Sequence, residues 1–115
     1  MKTIVLQNYP KEITFLVGTC AQDNFDAIDI SDPDDIWFHV KDFSSCHVIA
    51  KMPAGEKMDK KLIRSIIKQG ALLCKHESRY SSVKNLAIIY TKVENVQKTD
   101  IVGSVIADPV STICI

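Results

Sequence analysis

No stretch of this chain approaches the roughly 20 consecutive apolar residues that a membrane-spanning helix needs. The run around Leu86–Tyr90 is about as long as its apolar segments get. The opening Met1–Leu6 turns polar at Gln7 and Asn8, so the apolar stretch of a secretion signal is missing. Glycine and proline number four each, too few for a linker or a low-complexity chain. The four cysteines, Cys20, Cys46, Cys74 and Cys114, contain no C-x-x-C, which excludes a zinc knuckle and a thioredoxin-like motif. With no export signal they are expected to be free thiols in a reducing, cytoplasmic setting. What is present is 115 residues, 46% of them hydrophobic and 24% charged. That suffices for one core and one domain, residues 1–115.

The formal net charge is zero, but its distribution is uneven. From Cys20 to Asp42 there are seven acids (Asp23, Asp26, Asp29, Asp32, Asp34, Asp35, Asp42) against Lys41 alone. From Lys51 to Arg79 there are eight bases (Lys51, Lys57, Lys60, Lys61, Arg64, Lys68, Lys75, Arg79) against Glu56, Asp59 and Glu77. Such asymmetry marks either a polyanion-binding face or an ordinary solvated helix beside an acidic loop.

Hydrophobic periodicity divides the chain into short strands and two helices. Residues 3–6 and 13–17 are β-rich and flank a turn at Asn8–Glu12, predicting an opening hairpin. Ala21, Phe25 and Ile28 recur at helical spacing, predicting a short acidic helix that stops before Pro33. Ile36, Phe38 and Val40 alternate with Trp37, His39 and Lys41, predicting a strand that returns through Cys46–Met52 and closes at Pro53-Ala54-Gly55. Leu62, Ile63, Ile66, Ile67, Leu73 and Cys74 form one stripe of a long helix over 59–77, with Asp59 as its N-cap. Gly70 within it predicts close packing on the sheet. Residues 83–91 read as a buried strand, and Gly103–Ala107 with Val110–Ile115 as a closing hairpin around Asp108-Pro109. The expected fold is α+β: a mostly antiparallel sheet covered by one long amphipathic helix, with one short helix besides.

Several side chains carry chemistry. A turn near Phe43 sets His39 opposite His47 on one face, beside Trp37 and Lys41. One reading makes this a nucleic-acid surface: Trp37 stacks on a base, Lys41 meets a phosphate, and the imidazoles donate to phosphate or sugar oxygens. The other packs Trp37 under the long helix and turns the histidines to buried backbone groups. Lys60, Arg64 and Lys68, at i, i+4, i+8, form a basic ridge flanked by Lys57 and Lys61, with Lys51 at the hairpin. An enzyme reading pairs the histidines with Asp35 or Asp42 for acid–base work on RNA. A Cys46–His47 dyad is geometrically poor, because neighbours on a strand face opposite ways. His39, His47 and an aspartate match no standard zinc spacing. Gly18-Thr19-Cys20 is too short for a phosphate loop. No metal, cofactor or catalytic residue is therefore expected.

Three runs are more specific: Val17-Gly18 leading to Asn24; Asp35-Ile36-Trp37-Phe38-His39-Val40; and Cys46-His47-Val48-Ile49. With Ile88-Ile89-Tyr90-Thr91 and Gly103-Ser104-Val105 after them, they resemble the NFACT-R domain from about residue 12 to residue 115. That domain belongs to large proteins of ribosome-associated quality control that bind tRNA and the large ribosomal subunit; small standalone versions also exist. The resemblance implies a standalone, non-enzymatic, cytoplasmic module for structured RNA such as tRNA or rRNA, and it adds Asn24 to the candidate contacts. Thr19 replaces the usual basic residue, and Ser45-Cys46 replaces the usual Gly-Ser. The separate N-terminal domain and coiled coil of the large members have no counterpart here, so their tail-adding activity is not implied. The zero net charge and Thr19 lend support to the runner-up, a protein-interaction adaptor with little RNA affinity; an RNA-modification enzyme or accessory subunit is the third reading.

Overall fold

A computed structural model of the chain describes residues 1–8, 11–53 and 58–115. Strands β1 (Lys2–Asn8), β2 (Lys11–Val17), β3 (Ile36–Val40), β4 (Val48–Lys51), β5 (Ala87–Lys92) and β8 (Ser111–Cys114) form one sheet in the order β1-β2-β4-β3-β5-β8. Every pairing in it is antiparallel. Helices α1 (Ala21–Asp29) and α2 (Lys60–His76) and a small ribbon of β6 (Val96–Lys98) and β7 (Val105–Ala107) complete the fold. It is α+β, with both predicted helices present. No helix among the described residues is long and apolar enough to cross a membrane.

The centre of the sheet is buried on both faces, which is why β2, β3 and β4 read as nearly continuous apolar runs. Phe15, Ile36, Phe38, Val40, Val48 and Ile88 point to one side, where Ile66, Ala71 and Cys74 of α2 meet them. Gly70 permits that approach: a Cβ there would lie 2.2 Å from Cζ of Phe38. Asp59 caps α2 by accepting from the backbone N–H of Leu62 at 2.7 Å. Leu16, Trp37 and Ile49 point to the other side, against Ala27 of α1 and Val93, Val96, Val105 and Ala107 around the β6–β7 ribbon.

One expectation is refined and one is corrected. The long helix covers only one face of the sheet; α1 and the ribbon cover the other. The closing hairpin does not form: β7 pairs with β6 in the ribbon, while β8 pairs with β5 at the sheet edge. The apolar residues of 103–107 and 110–115 serve different layers, and strand propensity carries no information about which layer. The predicted turn at Tyr9-Pro10 and the Ala54-Gly55 end of the second hairpin lie outside the described residues.

A buried carboxylate ties the α1–β3 loop to β4. Asp35, 1% exposed, accepts from the Lys51 ammonium at 2.5 Å and from the backbone N–H groups of Asp32 and Met52 at 2.8 Å each. With both oxygens occupied, the charge is held without an unpaired polar group.

Candidate nucleic-acid interface

The register of β3 on β4 pairs Phe38 with Val48, and the same alignment carried outward sets His39 across from His47. Their rings meet edge to face, with centroids 5.1 Å apart. Trp37 lies parallel to His39 at 5.6 Å and edge-on to His47 at 5.4 Å. Its indole Nε1–H donates to Nδ1 of His47 at 3.2 Å. An Nδ1 that accepts is unprotonated, so the neutral ring carries its proton on Nε2 and keeps that donor.

The Gly18 and Asn24 positions of the first motif support this group. Asn24, buried on α1, accepts the backbone N–H of His47 on its Oδ1 at 3.2 Å. Its carboxamide rests on Gly18, where a Cβ would come within 2.0 Å of that oxygen. Gly18 in turn donates its backbone N–H to the carbonyl of His47 at 2.9 Å. The glycine is thus required by close approach: it makes room for the amide that fixes the start of β4.

These residues form part of the lining of an open cleft of about 900 Å³. Thr19, Cys20 and Asn24 line it from the α1 side, Ser44 to Cys46 from the β3–β4 turn, and Val102 to Ser104 from the ribbon. The Ser45 hydroxyl accepts the N–H of Val40 at 3.1 Å and donates to the carbonyl of Cys46 at 3.0 Å, bracing the turn where a glycine is usual. Burial drives the His47 pKa down to about 3, with the neighbouring His39 adding to the effect. Burial also lowers His39. Near neutral pH the floor therefore offers uncharged imidazoles, suited to heterocycle edges and hydroxyls more than to phosphate.

The cations lie elsewhere. Lys60, Lys61, Arg64 and Lys68 are exposed on α2, whose apolar stripe packs on the opposite side of the sheet from Trp37. The histidine group and the basic ridge thus occupy different faces. They converge at one end, because Glu77, Ser78 and Arg79, just past α2, also line the cleft. Tyr80 packs on Phe43 of the β3–β4 turn at 5.2 Å, bringing Arg79 to the end of the sheet where exposed Lys41 sits.

The remaining candidates divide. Trp37 is 2% exposed, so its ring is not an open platform for a base. It is buried, but beneath the α1 and ribbon layer and not under the long helix. Half-buried His39 is the ring in that stack with exposure to the cleft. Lys51 is committed to Asp35, with Asp32 at 3.6 Å, so its charge is answered within the fold. Asn24 is committed to His47. Lys57 lies outside the described residues. Arg79, Thr19 and Ser104 are cleft residues that sequence reasoning did not select; the only signal for Arg79 was its place at the end of the basic segment.

Comparison with known proteins agrees with the motifs. The family described as "NFACT protein RNA binding domain" matches residues 7–108. Coiled-coil domain-containing protein 25 of Mus musculus is 34% identical over 91 residues, covering 75% of this chain and 41% of that protein. Its homolog in Dictyostelium discoideum is 33% identical over 91 residues, covering 78% of this chain and 43% of the relative. The chain thus spans about two fifths of the length of these curated relatives. Among solved structures, the C-terminal part of a fibronectin/fibrinogen-binding protein from Streptococcus suis superposes with a TM-score of 0.74 at 17% identity, covering 90% of this chain and 41% of that one. At that identity the likeness concerns the fold.

Proposed function

We propose that this chain, which belongs to the NFACT protein RNA binding domain family, binds structured RNA by leading its backbone along α2 and seating an unpaired nucleotide in the cleft. The observation that carries this reading is the convergence at Arg79. The helix bearing Lys60, Lys61, Arg64 and Lys68 ends in a turn whose Arg79 lines the same cleft as His39 and His47. Along α2, cations four residues apart are spaced about 6 Å, forming a track toward the cleft. Phosphates meet Lys60, Arg64, Lys68 and Arg79; a base or ribose meets the uncharged imidazole of half-buried His39, with buried His47 behind it. The RNA class is tRNA or rRNA, in a cytoplasmic setting of translation or ribosome quality control, and the module acts by binding without catalysing a reaction.

Titration of a tRNA and of a small RNA hairpin by fluorescence anisotropy, over a range of salt, tests this. Each true phosphate contact contributes about 0.7–0.9 to the slope of log affinity against log salt. The K60E/R64E/K68E variant should flatten the slope by roughly one to three units, and R79E by about one. The H39A/H47A variant should instead change the preference among RNAs more than the slope. Unchanged slopes in both charge variants would leave the basic ridge a solvated face. No wild-type binding at about 50 mM salt, where electrostatic contacts are strong, would favour a protein-interaction adaptor. A specific feature supports that alternative: Lys2, Lys51, Lys92 and Lys98 already pair with Glu77, Asp35, Asp34 and Asp29.

A further inference from the structure

Two thiols meet where the chain entering β4 passes the last turns of α2, and RNA binding as described above makes no use of them. Half-buried Cys46 and fully buried Cys74 each donate to the other's backbone carbonyl, with Sγ–O distances of 3.9 and 3.8 Å. These reciprocal contacts set the two side chains beside each other. Cys46 lines the cleft, and His47 follows it in the chain. Cys20 and Cys114 are exposed and free.

We propose that Cys46 and Cys74 form a reversible intramolecular disulfide, with a hydroperoxide as the oxidant, and that the oxidant reaches Cys46 through the cleft.

The surroundings assign the two sulfurs different roles. The neighbouring Cys74 side chain holds Cys46 below its ordinary thiol value. That same contact, together with burial, pushes Cys74 up. Cys46 therefore reacts first as thiolate. Its sulfur attacks an oxygen of the hydroperoxide; the O–O bond breaks, and the departing alkoxide or hydroxide takes the proton Cys46 gave up. Cys46 is left as a sulfenic acid. The Cys74 sulfur then attacks the Cys46 sulfur, forming S–S and breaking S–O. The hydroxide leaves as water with the Cys74 proton. Two thiols and one hydroperoxide give one disulfide, one alcohol or water, and one further water. The thiols supply both electrons. Closing the bond fixes the wall that Ser45, Cys46 and His47 present to the cleft, and the route through the cleft rests on the RNA reading of that site.

The test uses the full chain carrying C20S/C114S, treated with hydrogen peroxide. Both thiols should disappear together, the mass should fall by about 2 Da, and dithiothreitol should restore the starting state. In that background C74A should accumulate a Cys46 sulfenic acid that dimedone traps, while C46S, which keeps the buried Cys74 side chain, should leave Cys74 unreacted. Retention of both thiols, or conversion of Cys46 to the sulfinic acid with a gain of about 32 Da, would overturn the pairing. Saturating the protein with an RNA hairpin that it binds should slow disulfide formation several-fold. Formation at an unchanged rate would overturn the route through the cleft and leave the pairing intact, so the two readings fail separately.

Discussion

Replacing His47 with asparagine separates its charge chemistry from its place in the fold. Asparagine keeps an acceptor for the Trp37 indole where Nδ1 now accepts at 3.2 Å, and it removes the titrating ring. In the folded protein burial holds His47 near pKa 3, against an ordinary value of 6.5. A histidine depressed in this way contributes stability that is complete above its unfolded pKa and is lost as pH falls toward the folded one. In that window the unfolded chain binds the extra proton, so stability rises with pH. Between pH 8 and pH 4.5 the His47 contribution falls by about 2–3 kcal/mol, each full unit below 6.5 costing about 1.36 kcal/mol. The H47N variant escapes this loss but gives up ring packing, a cost of about 1–2 kcal/mol at pH 8. The two stability curves should therefore cross between about pH 5 and pH 6. Urea unfolding followed through Trp37, the single tryptophan and a buried one, reads both proteins directly. The carboxylates titrate in both, so their effects cancel in the difference; His39, whose ring meets that of His47, is controlled by repeating the comparison in an H39N background. Parallel curves from pH 8 to about pH 4.5 would refute the neutral buried imidazole and, with it, the uncharged cleft floor.

Other consequences follow from particular contacts. G70A places a methyl 2.2 Å from the Phe38 ring and should cost about 1–3 kcal/mol in urea unfolding, although alanine is the better helix former. D35A strands the Lys51 ammonium and two backbone N–H groups; it should cost about 3 kcal/mol, the low end for a broken buried pair because Lys51 keeps some access to water. Under anaerobic purification all four cysteines should titrate as thiols after denaturation without reductant; two intact disulfides would place the chain in an oxidising compartment. G18A should lower the urea midpoint and weaken RNA binding together, because its methyl collides with the buried Asn24 amide that holds the backbone N–H of His47; an unchanged midpoint would refute the close approach.

Patterns with a local physical cause were readable from the chain alone. The stripe of Leu62, Ile63, Ile66 and Ile67 and the capping carboxylate of Asp59 specify α2, because helix period and N-terminal hydrogen bonding act within a few residues. The alternation through Ile36–Val40 and the turn near Phe43 set His39 across from His47, because strand register follows from counting. The motif residues were enough to identify the family. Which layer each strand serves was decided by tertiary structure. Residues 103–107 and 110–115 have the propensity of a hairpin, yet β7 and β8 pair with different neighbours, since pairing is selected by distant apolar surface. The side of the sheet on which Trp37 is buried was likewise undetermined, because β3 is covered on both faces and its sequence reads alike from either. Lys51 looked like any hairpin cation until Asp35, sixteen positions away, was found to hold it. The meeting of Arg79 with the histidine cleft, and of Cys46 with Cys74, depends on α2 crossing the sheet at one angle and ending at one edge. No residue encodes that by itself; it comes from packing Gly70 on Phe38 and filling the space around them.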